Sequence, residues 1–276
     1  MQKTVTIGFI GAGNMAHALV SGLLGNKFLA KNIRLSDKDE ILLSQRQEEF
    51  GVEIFTDNTQ LTAQCEVIIL AVKPQMLSNI CKEIQAHIEH KPLIISIVAG
   101  AKSDDINRWL GRNVPIIRTM PNTPALLGNG ATGIVANKMV NKQQKDLAEQ
   151  IFNVVGQCCW VANEEMLDAV TALSGSGPAY FFLMIESMSN AGIALGLDKE
   201  TAEKLSIQTA LGASMMANQD QESARQLRNK VTSKNGTTQA AIESFQEQNF
   251  ESIVSRAMRV AFDRAREIGF ELGADE

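Results

Sequence analysis

The chain has 276 residues, of which 45% are apolar and 5% aromatic, and its formal net charge is −5. The length allows two domains of ordinary size, and the apolar fraction is sufficient for packed cores. Charges of both signs are interspersed, with no basic tract and no apolar run as long as a bilayer span, which excludes nucleic-acid-binding and membrane-spanning classes and leaves small metabolites as ligands.

The first predicted elements are a strand, a glycine turn and a helix that ends near Gly25. Thr6–Ala18 reads TIGFIGAGNMAHA and contains the pattern G-x-G-x-x-A. Gly11 permits the tight turn, Gly13 lets backbone amides approach a pyrophosphate, and Ala16 keeps the helix near the sheet. The N–H groups at the helix start would then face the anion. We predict a dinucleotide site here; a corner that needs glycine only for packing is the alternative.

Short β-branched runs alternate with helical stretches over the first 162 residues. This alternation predicts βαβ units and a mostly parallel, doubly wound α/β sheet of Rossmann-like type. Helices are predicted at Lys38–Phe50 and Lys142–Val155. The predicted strands after the first are Asn32–Ser36, Val52–Phe55, Val67–Val72, Leu93–Val98, Val114–Arg118, Ala131–Ala136 and Gln157–Val161.

The β runs stop after Ala162, so we predict a dinucleotide-binding domain at residues 1–162 and an all-α dimerisation and substrate domain at 163–276. Pro178–Leu195 is apolar on most of its surface and needs neighbours on every side, some of which we expect a partner subunit to supply. Asp198 is a predicted N-cap. Apolar spacings of three and four predict helices at Glu164–Leu173, Pro178–Leu195, Lys199–Asn218, Glu222–Val231, Thr238–Glu247 and Glu251–Gly269.

Ligands of open α/β sheets bind at the carboxyl ends of the strands, which selects the candidate cofactor residues. Asp37 suits a ribose hydroxyl of NAD(H), whereas Ser36 and Lys38 offer a donor and a cation to the 2′-phosphate of NADP(H). We expect NADPH, with NADH as the alternative. For Lys73 and Pro74, a helix start with a solvated lysine is the alternative. The candidates are Gly11, Ala12, Gly13, Asn14, Met15, Ala16, Ser36, Asp37, Lys38, Ala71, Val72, Lys73, Pro74, Ala99, Gly100 and Asn122.

Two segments of the helical part concentrate small or polar residues. Leu173–Pro178, LSGSGP, permits close backbone approach to a ligand or another chain, although packing alone also accounts for it. Val231–Thr238, VTSKNGTT, crowds hydroxyls and amides at a helix start, which suits an anion. A capping loop would need only one or two of those hydroxyls, so we favour an anion site.

The cysteines and histidines lack metal-ligand spacing, and no metal site is predicted. We expect the four cysteines to be buried thiols, because the chain starts with a strand and carries no secretion signal. The expected location is therefore the cytoplasm. The cysteines are Cys65, Cys81, Cys158 and Cys159.

Five segments together resemble one enzyme family. GFIGAGNMA, AVKP, RTMPNTP, LSGSGPAYF and VTSKNGTT occur in the order and spacing of Δ1-pyrroline-5-carboxylate reductases; many dehydrogenases share the first, whereas the last two are specific to this family. The resemblance implies an oxidoreductase that makes L-proline with NAD(P)H, the final step of proline biosynthesis. It also implies a C-terminal domain that interleaves with that of a second subunit, with active sites at their interface.

The resemblance implies roles for individual residues as well. Ser233–Thr238 would receive the substrate carboxylate, with Thr238 beside the ring nitrogen as the catalytic hydroxyl. Glu164 would lie on the substrate side and Asn58 on the adenosine side. Lys234–Asn235 stands where the family commonly has Pro-Gly, and Asn tolerates the left-handed backbone better than most residues. The implied substrate residues are Glu164, Ser233, Gly236, Thr237 and Thr238.

Two other functions fit parts of the sequence. A β-hydroxyacid or related imine reductase shares this fold. The β-hydroxyacid enzymes resemble one another in placing a catalytic lysine on a long helix after a G-x-x-G turn, and no such lysine follows Ser174–Pro178. A non-catalytic nucleotide-sensing protein would need the glycine corner but not the Ser233–Thr238 loop. We therefore expect hydride transfer to an imine carbon, with the protein supplying orientation and electrostatics.

Overall fold

The computed structural model describes residues 5–274, which form two compact units. The sheet unit comprises the described residues up to Ser176 and those from Ala261 onward, and the helical unit spans Gly177–Val260. The predicted fold class, an α/β sheet followed by an all-α region, is confirmed. Packing groups residues 163–176 and the end of the chain with the sheet. The predicted division into a dinucleotide-binding domain up to residue 162 and a substrate domain after it concerns function, and it stays a prediction.

One eight-stranded sheet is formed by residues 5–274. Its strands are β1 (Ile7–Ile10), β2 (Ile33–Ser36), β3 (Glu53–Phe55), β4 (Val67–Leu70), β5 (Leu93–Ser96), β6 (Ile116–Met120), β7 (Gly130–Ala136) and β8 (Gly156–Trp160). The order is β3-β2-β1-β4-β5-β6-β7-β8, and only the pair β6–β7 is antiparallel. The strand order reverses between β1 and β4, where a doubly wound sheet opens its ligand crevice.

The sheet is buried on both faces, which explains its continuous apolar strands. In β4, Ile69 packs into one hydrophobic core while Ile68 and Leu70 pack into the other, because successive side chains point to opposite faces. The helices of this unit are α1 (Asn14–Gly25), α2 (Glu40–Phe50), α3 (Asn58–Thr62), α4 (Leu77–Ile84), α5 (Ser103–Trp109), α6 (Lys142–Phe152) and α7 (Glu164–Val170). Thr171–Gly175 continues α7 as a π-helix, so the predicted α-helix Glu164–Leu173 ends early.

The helical unit contains α8 (Gly177–Ala194), α9 (Lys199–Gln219), α10 (Ala224–Lys230), α11 (Thr237–Glu247) and the first part of α12 (Phe250–Ala274), whose end belongs to the sheet unit. The predicted N-cap at Asp198 is confirmed, because its side chain accepts a 3.0 Å hydrogen bond from Thr201 N. Much of the surface of α8 is apolar and exposed: Phe181, Phe182 and Leu183 are 62%, 65% and 63% exposed.

The cysteines are only partly as predicted. Cys65 and Cys81 are buried, which raises the pKa of their thiols to about 11 and about 12. Cys158 is half-buried and Cys159 is exposed, so the prediction of a buried thiol was wrong for Cys159, which lies on the edge strand β8. In residues 5–274 no His, Cys, Asp or Glu cluster could hold a metal ion. No helix in that range is long and apolar enough to cross a membrane.

Candidate active site

The glycine turn between β1 and α1 has the backbone that a phosphate-binding corner requires. Gly11 has a φ of +103°, and a Cβ there would collide with the carbonyl oxygen of Ala71, so only glycine fits. A Cβ on Gly13 would meet no atom within 4 Å, which leaves open space beside the backbone. Gly13 is also the N-cap of α1 and brings no side chain to its first amides. The corner can therefore accept an anion at the helix start.

A crevice of about 260 Å³ lies beside this turn, between the ends of β1, β2 and β4. It brings together most of the cofactor residues predicted from those three strands. Its walls include Gly11, Gly13, Ser36, Asp37, Lys38, Asn58, Ala71, Val72 and Lys73.

Asp37 joins the second strand to the glycine turn. Its Oδ2 accepts a 2.8 Å hydrogen bond from Ala12 N, and its Oδ1 accepts a 3.1 Å bond from Asp39 N. Arg46 holds the same turn from α2, because its Nε donates to the Ala12 carbonyl at 3.3 Å. Sequence patterns did not identify Arg46, since an arginine in a polar helix has no distinguishing local signal.

Ser36 is placed differently from what a phosphate donor requires. It is fully buried, and its Oγ donates a 2.6 Å hydrogen bond to Asn58 Oδ1, while Asn58 Nδ2 donates to Glu83 Oε2 at 3.1 Å. The Ser36 hydroxyl is thus already hydrogen-bonded to another side chain of the protein. Lys38, by contrast, is exposed and lines the same crevice.

The candidates at the ends of β5 and β6 do not line this crevice. Gly100 has a φ of +80° and lies against α12, where a Cβ would come within 3.0 Å of Gly269 N. Asn122 is only 8% exposed; its Nδ2 donates to the Ser174 carbonyl and its Oδ1 accepts from Ala131 N, both at 2.9 Å. Asn122 therefore supports the π-helix, and cofactor contacts from Ala99, Gly100 and Asn122 stay predictions.

Glu164, the first residue of α7, belongs to the sheet unit and forms a largely buried ion pair. Its Oε2 lies 3.0 Å from Arg118 Nη1, and the Arg118 side chain is only 4% exposed. Its Oε1 accepts a 2.9 Å bond from Ser103 N and a short bond from Ser103 Oγ. Burial raises the pKa of the neighbouring Asp168 carboxyl, and the charges of Arg118 and Lys102 act in the opposite direction.

The pair also shows what sequence patterns missed. Arg118 stands in the apolar run VPIIRTM, and a charge within a buried strand was the one available signal of a buried partner. Nothing local identified Ser103. A cavity of about 460 Å³ adjoins the pair, lined by both acidic and basic side chains, Lys102 and Arg266 among them.

The predicted substrate loop lies in the helical unit and leads into α11. Gly236 is the N-cap and brings no side chain to the first turn, while Thr237 and Thr238 open the helix. Asn235 adopts a φ of +59°, the left-handed backbone that Asn tolerates, and its N–H donates to Gln239 Oε1 at 2.7 Å. Ser233 O accepts a 3.1 Å bond from Gly236 N, which closes the turn. The loop has the hydroxyls and helix-start amides of an anion site.

Two family models match the chain, one near its N-terminus and one in its C-terminal part. A family model described as pyrroline-5-carboxylate reductase dimerisation matches residues 164–268, and one described as NADP oxidoreductase, coenzyme F420-dependent, matches residues 6–100. A pyrroline-5-carboxylate reductase of Pseudomonas aeruginosa is 44% identical over 99% of this chain and 100% of its own. That of Vibrio alginolyticus is 41% identical over 95% and 97%.

Solved structures of the same kind of enzyme superpose over nearly the whole chain. A pyrroline-5-carboxylate reductase from Coxiella burnetii is 42% identical with a TM-score of 0.93, covering 96% of this chain and 99% of its own. A Plasmodium falciparum pyrroline carboxylate reductase with NADP bound is 29% identical with a TM-score of 0.86, covering 98% and 100%.

Proposed function

The chain belongs to the pyrroline-5-carboxylate reductase family, and we propose that it reduces 1-pyrroline-5-carboxylate to L-proline with NAD(P)H as the final step of proline biosynthesis. The observation that carries this function is the full-length similarity to such reductases in a chain whose glycine corner is intact. A lone dinucleotide fold would support many reactions. The matched dimerisation region removes most of those alternatives.

The residues of the sheet unit fit a nicotinamide dinucleotide. The open space at Gly13 and the start of α1 suit the pyrophosphate, and the Asp37 carboxylate lies beside that turn. When bound, the cofactor supplies the hydride. We assign the preference between NADPH and NADH to Lys38, because the Ser36 hydroxyl is already bonded to Asn58 and the exposed ammonium remains to meet a 2′-phosphate.

On the substrate side, the residues Ser233, Gly236, Thr237 and Thr238 would hold the ring carboxylate at the start of α11. The N-cap glycine leaves the first amides without a side-chain partner, which favours an anionic ligand. Reduction of the imine needs a hydride at carbon and a proton at nitrogen. Thr238 would hold or relay that proton, so its role is positional rather than that of a strong acid.

We propose a homodimer as the smallest active unit, and any larger assembly would be built from such dimers. The exposed Phe181, Phe182 and Leu183 of α8 support this, because burying such a side chain is worth about 1.5–3 kcal/mol. A two-fold contact would bury the same surface on both copies. We also propose a cytoplasmic location, which the four free cysteines support.

Turnover of racemic pyrroline-5-carboxylate by the purified protein tests the proposed reaction. We expect loss of NADPH absorbance with one proline formed for each NADPH oxidised. Competing substrates are a six-membered cyclic imine carboxylate, assayed with NADPH in the same way, and a β-hydroxyacid, assayed with NADP+ for the appearance of NADPH absorbance. NADPH binding with no turnover of any of them would indicate a nucleotide-sensing protein, and preferred turnover of a competing substrate would contradict the assignment.

A further inference from the structure

The carboxylate of Glu164 connects three parts of the sheet unit. It is the first residue of α7, its Oε2 meets Arg118 on β6, and its Oε1 accepts from the backbone and side chain of Ser103 at the start of α5. Lys102, the N-cap of α5, makes no side-chain capping bond. Glu164 therefore supplies from another helix the acceptor that the first amide of α5 needs.

Arg118 determines where this carboxylate can lie. It is paired in register with Ser96 of β5 and Val135 of β7, so its backbone is fixed inside the sheet. Its side chain is 4% exposed, and a buried guanidinium requires an anionic partner. Glu164 is that partner, and its second oxygen then reaches Ser103.

The loop between β5 and α5 is thus held at two points. At Ser103 it is held by Glu164, and at Gly100 it is held by the backbone of α12, because a Cβ on Gly269 would come within 2.8 Å of Gly100 O. Between them stand only Ala101 and Lys102, and Ala101 is fully buried. The loop carries Ala99 and Gly100, which follow the carboxyl end of β5, at the edge of the sheet where ligands of such folds bind.

We propose that Glu164 is a positioning residue for the cofactor, which orders the Ala99–Gly100 loop through Ser103 and does not itself contact the substrate. Both of its oxygens are engaged within the sheet unit, one by Arg118 and one by Ser103. This inference rests on the proposed function, because it assigns Ala99 and Gly100 to the nicotinamide side of a hydride-transfer site. It replaces the substrate-side role that the family resemblance implied for Glu164.

The first test uses Ser103→Ala, which removes one donor to Glu164 and leaves the buried ion pair intact. NADPH dissociation constants are measured by nicotinamide fluorescence without substrate. We expect the NADPH dissociation constant to rise about 3- to 10-fold. This is smaller than the full effect of losing a hydrogen bond to a charged group, because only part of that loss is transmitted to the loop. The KM for pyrroline-5-carboxylate at saturating NADPH should stay within about twofold, because the loop acts on the cofactor. Ser103→Thr keeps the hydroxyl and should restore wild-type NADPH affinity.

The second test removes Glu164 itself. Because Glu164→Ala alone would leave the Arg118 charge buried and unpaired, it is made together with Arg118→Met, and the thermal midpoint verifies folding. We expect a raised NADPH dissociation constant, a lower kcat and an unchanged substrate KM. A raised substrate KM with unchanged NADPH affinity, in either test, would overturn the proposal and place Glu164 on the substrate. If the wild-type protein did not reduce pyrroline-5-carboxylate, the proposed function would fail, whereas the NADPH dissociation constants would still decide the role of Glu164.

Discussion

Alanine substitutions at the two glycines of the turn should separate folding from cofactor binding. At Gly11, φ is +103° and the new Cβ would collide with the Ala71 carbonyl oxygen, a backbone atom that cannot move aside alone. A left-handed backbone costs an L-residue about 1–2 kcal/mol, and forcing an extra methyl into a packed site costs about 1–3 kcal/mol. We therefore expect Gly11→Ala to lower the free energy of unfolding by roughly 2–5 kcal/mol.

Gly13→Ala is the matched variant, for which we expect little change in stability. The backbone of Gly13 has a φ of −68°, which alanine adopts readily, and the added Cβ would meet no atom within 4 Å. Restricting the unfolded chain stabilises by about 0.4–1 kcal/mol, but Gly13 is the N-cap of α1 and alanine is a poorer N-cap than glycine by about the same amount, so the free energy of unfolding should stay within about 1 kcal/mol of the wild type. The same methyl would occupy the space assigned to the pyrophosphate, so NADPH affinity should fall at least about tenfold, or about 1.4 kcal/mol.

Urea unfolding and NADPH fluorescence titration of both variants check this pair of expectations. The slope of the unfolding free energy against urea should be unchanged, so that shifts in midpoint report stability. Wild-type NADPH affinity in Gly13→Ala would refute the placement of the pyrophosphate over the turn. Equal loss of stability in both variants would refute the steric reasoning about Gly11.

Three further predictions address the substrate, the cofactor preference and the assembly. Thr238→Ala should lose about 1–3 kcal/mol of transition-state stabilisation, the value of a hydrogen bond to a charged group, and an unchanged kcat/KM would remove Thr238 from the site. Lys38→Ala should raise the KM for NADPH much more than that for NADH, whereas equal changes would make Lys38 a solvated surface charge. Sedimentation at micromolar concentration should show no monomer, and a stable, fully active monomer on dilution would contradict both the shared site and the burial of α8.

Patterns within short stretches of sequence located most of the fold. The run Val67–Val72 predicted a strand observed at Val67–Leu70, and the pattern around Gly11 and Gly13 predicted the turn and the start of α1. The end of the apolar β runs after residue 162 anticipated the change to helices. These features depend on alternation, helical spacing and glycine backbone freedom, all of which are properties of neighbouring residues.

Tertiary structure alone decided which side chains meet. Ser103 and Glu164 are 61 positions apart, Ser36 and Asn58 are 22 apart, and Asn122 reaches the π-helix across 52. Strand order and register bring these pairs together, and neither is encoded near any one of the residues. The same holds for the exposed thiol of Cys159, which results from the edge position of β8. Local sequence thus determines where elements begin and end, whereas a buried polar contact depends on packing, because its partner is supplied by whichever strand or helix becomes its neighbour.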